Sequence, residues 1–279
     1  MRNKEWTIES QHDLFNLRLK EILNYKHLLF QLVKRDIVAL YKQTILGPIW
    51  FFIQPLLTTA VFTFVFGKLV KVSTDGLPQP LFYLAGIINW NYFSECLNKT
   101  SAVFKDNTQI FGKVYFPRII VPISISISML SRFAIQLLVF LICIIVYHSQ
   151  GAQFHITSTI FIFPLMVALM AALGLGLGII ISALTVKYKD LYFLIGFGLQ
   201  LLMYTTTVIY PLSAAPENLK WLIQMNPMTT VIELFRYSFL GKGDFTIGSL
   251  VYSVTTTVSI LFLGLVAFNK VEKTFIDTI

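Results

Sequence analysis

Charge is scarce in this 279-residue chain: Asp, Glu, Lys and Arg make up 13% of it, against 56% hydrophobic residues. Soluble domains carry about 25% charged residues, so an ordinary globular fold in water is excluded and an integral membrane protein is predicted. Cysteine is nearly absent. Cys96 and Cys143 both fall in apolar stretches and supply neither a disulfide framework nor a metal spacing; buried packing accounts for both. No Walker A pattern is present, because Gly112-Lys113 and Gly241-Lys242 lack the spaced glycine and the Ser/Thr partner. The chain is therefore not expected to hold ATP in a phosphate loop. There is also no His pair at metal-binding helical spacing, no nucleophile elbow and no large extramembrane catalytic region. The first ~27 residues are polar and charged with no short apolar core, which predicts no cleaved signal segment.

What is present is a series of long apolar runs. The pattern predicts an all-α integral membrane protein with six transmembrane helices, an N-terminal amphipathic interfacial helix, and short re-entrant helices between spans 5 and 6. A cytoplasmic N-terminal segment covers 1–44, the transmembrane domain 45–268 and a cytoplasmic tail 269–279. The spans are expected at about 45–66, 81–97, 119–147, 156–184, 191–212 and 247–268. A polar lead-in over 1–27 is helical in part. The second span is weak, with Asn89, Asn91, Ser94 and Glu95, and should face the bundle interior or a cavity. Pro55 should kink the first span. In the fourth, Gly174, Gly176 and Gly178 are no dinucleotide fingerprint, because no strand precedes them; Gly174 and Gly178 predict a close helix-packing face. Between spans 5 and 6, breaks are expected at Pro216, Pro227 and Gly241, and the 228–240 stretch is too short to cross.

Six spans place both termini on one side. Of the 22 Lys and Arg, sixteen fall on that side and five on the other. The positive-inside rule makes the first side cytoplasmic. The net charge of +8 thus reads as membrane orientation and not as a nucleic-acid footprint.

Several polar groups stand out against this background. Residues 29–41 wind into a helix with Leu29, Leu32, Val33, Ile37, Leu40 and Tyr41 on one face. Gln31, Lys34, Arg35 and Lys42 lie on the other, and Asp36 projects within the apolar sector, where it needs a partner or water. Such a helix is either an interfacial anchor or a lever joined through Gly47-Pro48 to the first span. Gln54 and Arg132 lie at membrane depth; Arg132 is either half of an ion pair or a substrate contact. Glu233 and Arg236 can pair at i, i+3. Aromatic residues make up 15% of the chain, with Trp50 and Phe51 opening span 1, Trp90 and Tyr92 in span 2, and Tyr204 and Tyr210 marking span 5. They form either an interfacial belt with lipid-facing packing or a path lined with flat rings that suits a sliding glycan.

The stretches RDIVALYKQTILGPIW at 35–50, QPLL at 54–57, KVYFPR at 113–118 with Pro122, ALTVKYKDL at 183–191, VIYPLS at 208–213 and NPMTTVIELFRYSFLG at 226–241 follow one another in a recognisable order. Together they resemble the membrane permease subunit of type 2 ABC exporters, and within these the O-antigen and related polysaccharide-export permeases. The resemblance implies a homodimeric half-transporter served by two copies of a separate nucleotide-binding ATPase subunit. ATP and Mg would sit on that partner, with no cofactor on this chain. It implies that Lys34, Arg35, Asp36, Tyr41 and Lys42 belong to a gate helix touching the ATPase, and that Lys105, Asp106 and Asn107 belong to a coupling helix docking into it. Trp50, Phe51, Gln54, Trp90, Tyr92, Tyr204 and Tyr210 become candidate channel-lining residues. Glu217, Trp221, Glu233 and Arg236 fall in the implied re-entrant gate.

The cargo implied is a polyprenyl-diphosphate-linked polysaccharide moved outward across a bacterial inner membrane, with membrane lipids as surroundings. Leu40 stands where relatives often carry a basic residue, so one cation is missing from any charge-based reading of the lipid diphosphate. Arg2, Lys4, Arg18, Lys20 and Lys26 are the other cations nearby in sequence. Capsule, teichoic-acid or small-lipid and drug export fit the short outer loops too. A membrane enzyme acting on polyprenyl-linked sugars is a reading from another class, distinguished by turnover without any ATPase.

Overall fold

The computed structural model describes residues 24–42, 47, 49–111, 116–188 and 190–277. The polar lead-in before residue 24, Pro48, Lys113 and Lys189 lie outside the described residues, as do the side chains of Leu40 and Tyr41. All regular structure among the described residues is helical. Among the described residues four helices are long and apolar enough to cross a membrane: Ile49–Leu69, Ile120–Ser149, Ser158–Lys187 and Ile247–Glu272.

Helix α1 spans Lys26–Lys42 and α2 spans Ile49–Phe62. Between them Gly47 takes a φ of 52°, a left-handed value that glycine adopts without a Cβ clash. Helix α2 runs through Pro55 and continues as a π-helical turn over Thr63–Leu69. There Gln79 Nε2 donates to the carbonyl of Gly67 at 3.2 Å. Helix α3 covers Gln79–Ser101, followed by two single turns, α4 at Val103–Asp106 and α5 at Thr108–Phe111. Helix α6 covers Ile120–Ser149, and α7 covers Phe163–Lys187 behind a 3-10 lead-in at Ser158–Ile162. Then come α8 at Leu191–Tyr204, α9 at Glu217–Met225, α10 at Pro227–Leu240 and α11 at Ile247–Asp277.

The second and fifth expected spans differ from the other four for separate physical reasons. Helix α3 is long enough to cross but carries polar residues such as Asn89, Asn91 and Glu95 along it, and every residue from Leu81 to Trp90 is buried. It is wrapped by α2, α6, α7 and α10. A helix sheathed in protein needs no apolar exterior, so its polarity follows from its central place. Helix α8 ends at Tyr204 instead of reaching residue 212. At ~1.5 Å per residue it is about 21 Å long, short of a ~30 Å hydrocarbon core. Ile195 is its one fully buried residue.

Helix α7 shows why its glycines recur. An added Cβ on Gly178 would strike Thr100 Oγ1 and lie 2.9 Å from the carbonyl of Leu97; on Gly174 it would lie 2.8 Å from Cys96 Cβ. These two positions let α3 approach. Gly176 points the other way, where a Cβ would lie 2.9 Å from Leu261 Cα on α11. Helix α7 therefore presses closely on α3 with one face and on α11 with the other.

The breaks between α8 and α11 are made by the residues expected. Helix α9 starts after Pro216. Helix α10 starts at Pro227, where Asn226 Oδ1 accepts from the amide of Met228 at 3.0 Å, and it stops at Gly241 with a φ of 69°. Cys96 is buried and Cys143 half-buried, both as free thiols.

The glycine face yields a first test. Gly178→Ala should destabilise the protein by about 1–3 kcal/mol through overpacking. Gly198→Ala, where nothing lies within 4 Å of the added carbon, should leave the melting point unchanged or raise it. Thermal melts of the two variants in detergent measure this.

Candidate functional site

Three clusters of polar and aromatic side chains occupy different levels of the bundle. At one end, α1 and α4 share a hydrophobic cluster of Leu32, Val103, Phe104, Phe111, Ile120 and Phe268. The fold thus brings the two segments expected to meet an ATPase to one end. The apolar face of α1 is turned to α6, with Leu32 buried, while Lys34, Arg35 and Lys42 are exposed. Asp36 pairs with its neighbour Arg35 at 2.8 Å. On α4 and the turn after it, Lys105 and Asp106 are exposed, but Asn107 faces inward and donates to the carbonyl of Val103 at 3.0 Å. Nearby Arg118, missed by sequence reasoning, donates to the carbonyls of Phe111 and Glu272 at 3.2 and 3.3 Å. It ties α5, the start of α6 and the end of α11 together.

At mid-bundle, Arg132 on α6 forms an ion pair with Glu95 on α3 and donates to Gln54 Oε1 on α2. Its guanidinium also lies 5.0 Å from the centroid of Phe51. One cation therefore joins three helices. The ion-pair reading of Arg132 fits this geometry, and the pair was findable: Arg132 and Glu95 are the only charges in the expected third and second spans. One turn away, Asn91 Nδ2 approaches Gln136 Oε1 at 3.5 Å. Gln136, buried on α6, gave no signal in sequence beyond being polar in an apolar run.

At the other end lies a fully buried charge cluster. Arg236 and Glu233 are 1% exposed each. Arg236 Nη1 donates to Glu233 Oε1 at 3.2 Å. Its Nη2 donates to the carbonyls of Phe82 and Val208 at 3.2 and 3.1 Å. The guanidinium stacks on the Phe82 ring at 3.6 Å. Glu233 Oε2 in turn accepts from the amide of Asp244 at 2.9 Å. The i, i+3 pair is real, but it also fastens α3, α10, the turn before Pro211 and the loop into α11. Gly86 makes room, since a Cβ there would lie 3.0 Å from Arg236 Nη2.

The four residues expected in a re-entrant gate are not brought together as one patch. Glu217 and Trp221 lie on the exposed face of α9, while Glu233 and Arg236 are sealed inside. Glu217 is held below the usual carboxylate range by the hydrogen bond from Lys220 at 2.8 Å. The aromatics divide as well. Trp50 and Tyr204 are exposed, at 46% and 47%. Phe51, Trp90 and Tyr92 are buried within the single chain, the Tyr92 hydroxyl donating to the carbonyl of Ser126 at 3.2 Å. Tyr210 is half-buried and donates to the carbonyl of Tyr204 at 2.8 Å. Among the described residues no group of three His, Cys, Asp or Glu side chains is placed to share a metal.

Comparison with known proteins gives a consistent picture. The sequence model of the ABC-2 type transporter family matches residues 27–240. The chain is 26% identical over 264 residues to the O-antigen export system permease protein RfbA of Klebsiella pneumoniae, covering 94% of this chain and 99% of that one. It is 26% identical over 223 residues to RfbA of Myxococcus xanthus, covering 79% and 83%. It is 24% identical over 246 residues to the polysialic acid transport protein KpsM of Escherichia coli, covering 88% and 93%.

The buried Arg236–Glu233 pair should be costly to break. Arg236→Met leaves Glu233 buried without its cation and should cost about 3–5 kcal/mol. Arg236→Lys keeps the charge but loses the fork, and should recover only part of that. The ordering wild type, Lys, Met in detergent thermal stability checks it; equal stability of all three would contradict the fastening role.

Proposed function

The chain belongs to the ABC-2 type transporter family, and on that basis we propose that it is the permease subunit of an ATP-driven exporter of a lipid-linked polysaccharide. The observation that carries the reading is the end-to-end similarity to permeases named for O-antigen export, in which nearly all of both chains takes part. As members of this family work with an ATPase partner, ATP and Mg bind on that separate chain and none is bound here. Two copies of this chain and two ATPase subunits make the working assembly. The cargo is a polysaccharide on a polyprenyl diphosphate, taken outward across a bacterial inner membrane. O-antigen is the favoured polymer.

In this reading six segments cross the membrane. Helix α3 crosses inside a sheath of protein, and α8 is the short fifth span completed by the turn after Tyr204. Both termini lie in the cytoplasm, in keeping with the excess of Lys and Arg on that side. Helix α1 is the gate helix and α4 the coupling helix, supported by their sharing one end of the bundle with Lys34, Arg35, Lys42, Lys105 and Asp106 exposed. Helices α9 and α10 form the re-entrant gate at the opposite end. Helix α10 is locked by Arg236, and α9 presents Trp221.

The polymer path runs where the chain leaves apolar and aromatic surface uncovered. Trp50 on α2 and Tyr204 on α8 are the aromatic candidates open to it, whereas Phe51, Trp90 and Tyr92 support the wall from inside. A flat ring stacks on the apolar face of a sugar without gripping one residue, which suits a chain that must slide.

Two outcomes of one isolation experiment separate this reading from a membrane enzyme. Extracted in detergent from its native membrane, the chain should come down with an ATP-hydrolysing partner in equal copies. Charge removal at Lys105 and Asp106 should weaken coupled hydrolysis while membrane insertion persists. A chain that comes down alone and converts polyprenyl-linked sugar without ATP would overturn the exporter reading.

A further inference from the structure

Helix α8 is lightly supported. Only Ile195 is fully buried; Phe193, Leu194 and Phe197 are exposed, and an added Cβ on Gly196 or Gly198 would meet nothing within 4 Å. Its far end is tied by the Tyr210 hydroxyl to the carbonyl of Tyr204 and by Asn226 Nδ2 to Thr205 Oγ1 at 3.5 Å. At its near end Tyr192 packs partly buried on the main core. Above that ring sits Lys105 of α4, with Nζ 4.4 Å from the ring centroid.

Helix α4 is only one turn, yet it is braced. Asn107 Nδ2 bonds the carbonyl of Val103, and Thr108 Oγ1 bonds the carbonyls of Phe104 and Lys105 at 2.8 and 3.1 Å. Phe104 is stacked on Phe268 of α11, centroids 4.8 Å apart and planes 24° from parallel. A braced turn moves as a unit, and its side chains carry the movement. Phe104 leads into the packed core, where displacement is resisted by close contacts. Lys105 leads to a lightly held helix. The similar contact of Lys187 with Tyr188, at 5.3 Å, joins sequence neighbours and transmits nothing between elements.

We propose that the Lys105–Tyr192 cation–π contact is the link through which displacement of α4 moves α8, making Tyr192 a positioning residue of the transport cycle. The proposal rests on the reading of α4 as the turn that meets the ATPase. An attraction between an ammonium and a ring face needs no fixed hydrogen-bond angle, so the two can slide through several ångströms of relative tilt and stay engaged. That property suits a joint between a turn that rocks and a helix that tilts.

The test uses the full chain with its ATPase, in cells whose only permease is the variant. Surface polysaccharide is measured per copy of complex recovered from the membrane, so a loss of folded protein does not register as a loss of export. Tyr192→Leu, which keeps apolar bulk and removes the ring, should reduce export about fivefold, the size of one cation–π contact at an exposed site. ATP hydrolysis by the recovered complex should be unchanged. Tyr192→Phe keeps the ring and should export as the wild type does. Adding Tyr192→Leu to Lys105→Met should lower export no further than Lys105→Met alone.

Export unchanged in Tyr192→Leu, or Tyr192→Phe falling with Tyr192→Leu, or a double variant reduced by the product of the two single effects, would each overturn the link. If cells lacking the chain altogether keep their surface polysaccharide, the exporter reading has failed instead.

Discussion

A guanidinium sealed inside an apolar bundle persists only where protein atoms replace its water, and the structure depends on one such group. Arg236 finds a carboxylate on its own helix, the carbonyls of Phe82 on α3 and Val208 in the turn before Pro211, and the face of the Phe82 ring. Each of these must be in place for the charge to be tolerated. The central helix α3, helix α10 and the turn leading out of α8 are thereby fixed relative to one another. Glu233 extends the network to the loop entering α11.

A second cation repeats the device further along the same helix. Arg132 meets Glu95, thirteen positions beyond Phe82 on α3, or about 20 Å along the axis. Helix α3 is therefore pinned near both ends by arginines from neighbouring helices, and its Asn89, Thr100 and Ser101 are buried in protein. Around this fixed post the elements differ in support. Helix α7 is pressed against α3 and α11 through its glycines, whereas α2 and α8 bury few of their residues. Firm centre and lightly held flanks give a permease parts that can move without unpacking the core.

Much of this was legible in the sequence. The breaks at Pro216, Pro227 and Gly241 fall where proline and glycine chemistry puts them, and the glycine face of α7 meets a helix at close range as small residues at i, i+4 predict. The amphipathic pattern of α1 placed Lys34, Arg35 and Lys42 outward correctly, although its apolar face is covered by α6. Tertiary partners were not legible. The polar residues of α3 pointed to the bundle interior, but not to which helices sheathe it. Composition likewise did not distinguish Trp50, which is open, from Phe51 beside it, which is buried under Arg132. The Lys105–Tyr192 contact joins residues 87 apart in the chain, with no periodicity to announce it.

The most direct measurement is reconstitution of the chain with its ATPase in sealed vesicles, using lipid-linked glycan extracted from the native membrane as the probe. Glycan on the leaflet opposite the ATPase is read with an impermeant sugar-binding protein. Transfer that requires ATP, this chain and the ATPase together is the expected result. Transfer or chemical conversion of the glycan by this chain alone, without ATP, would contradict the assignment.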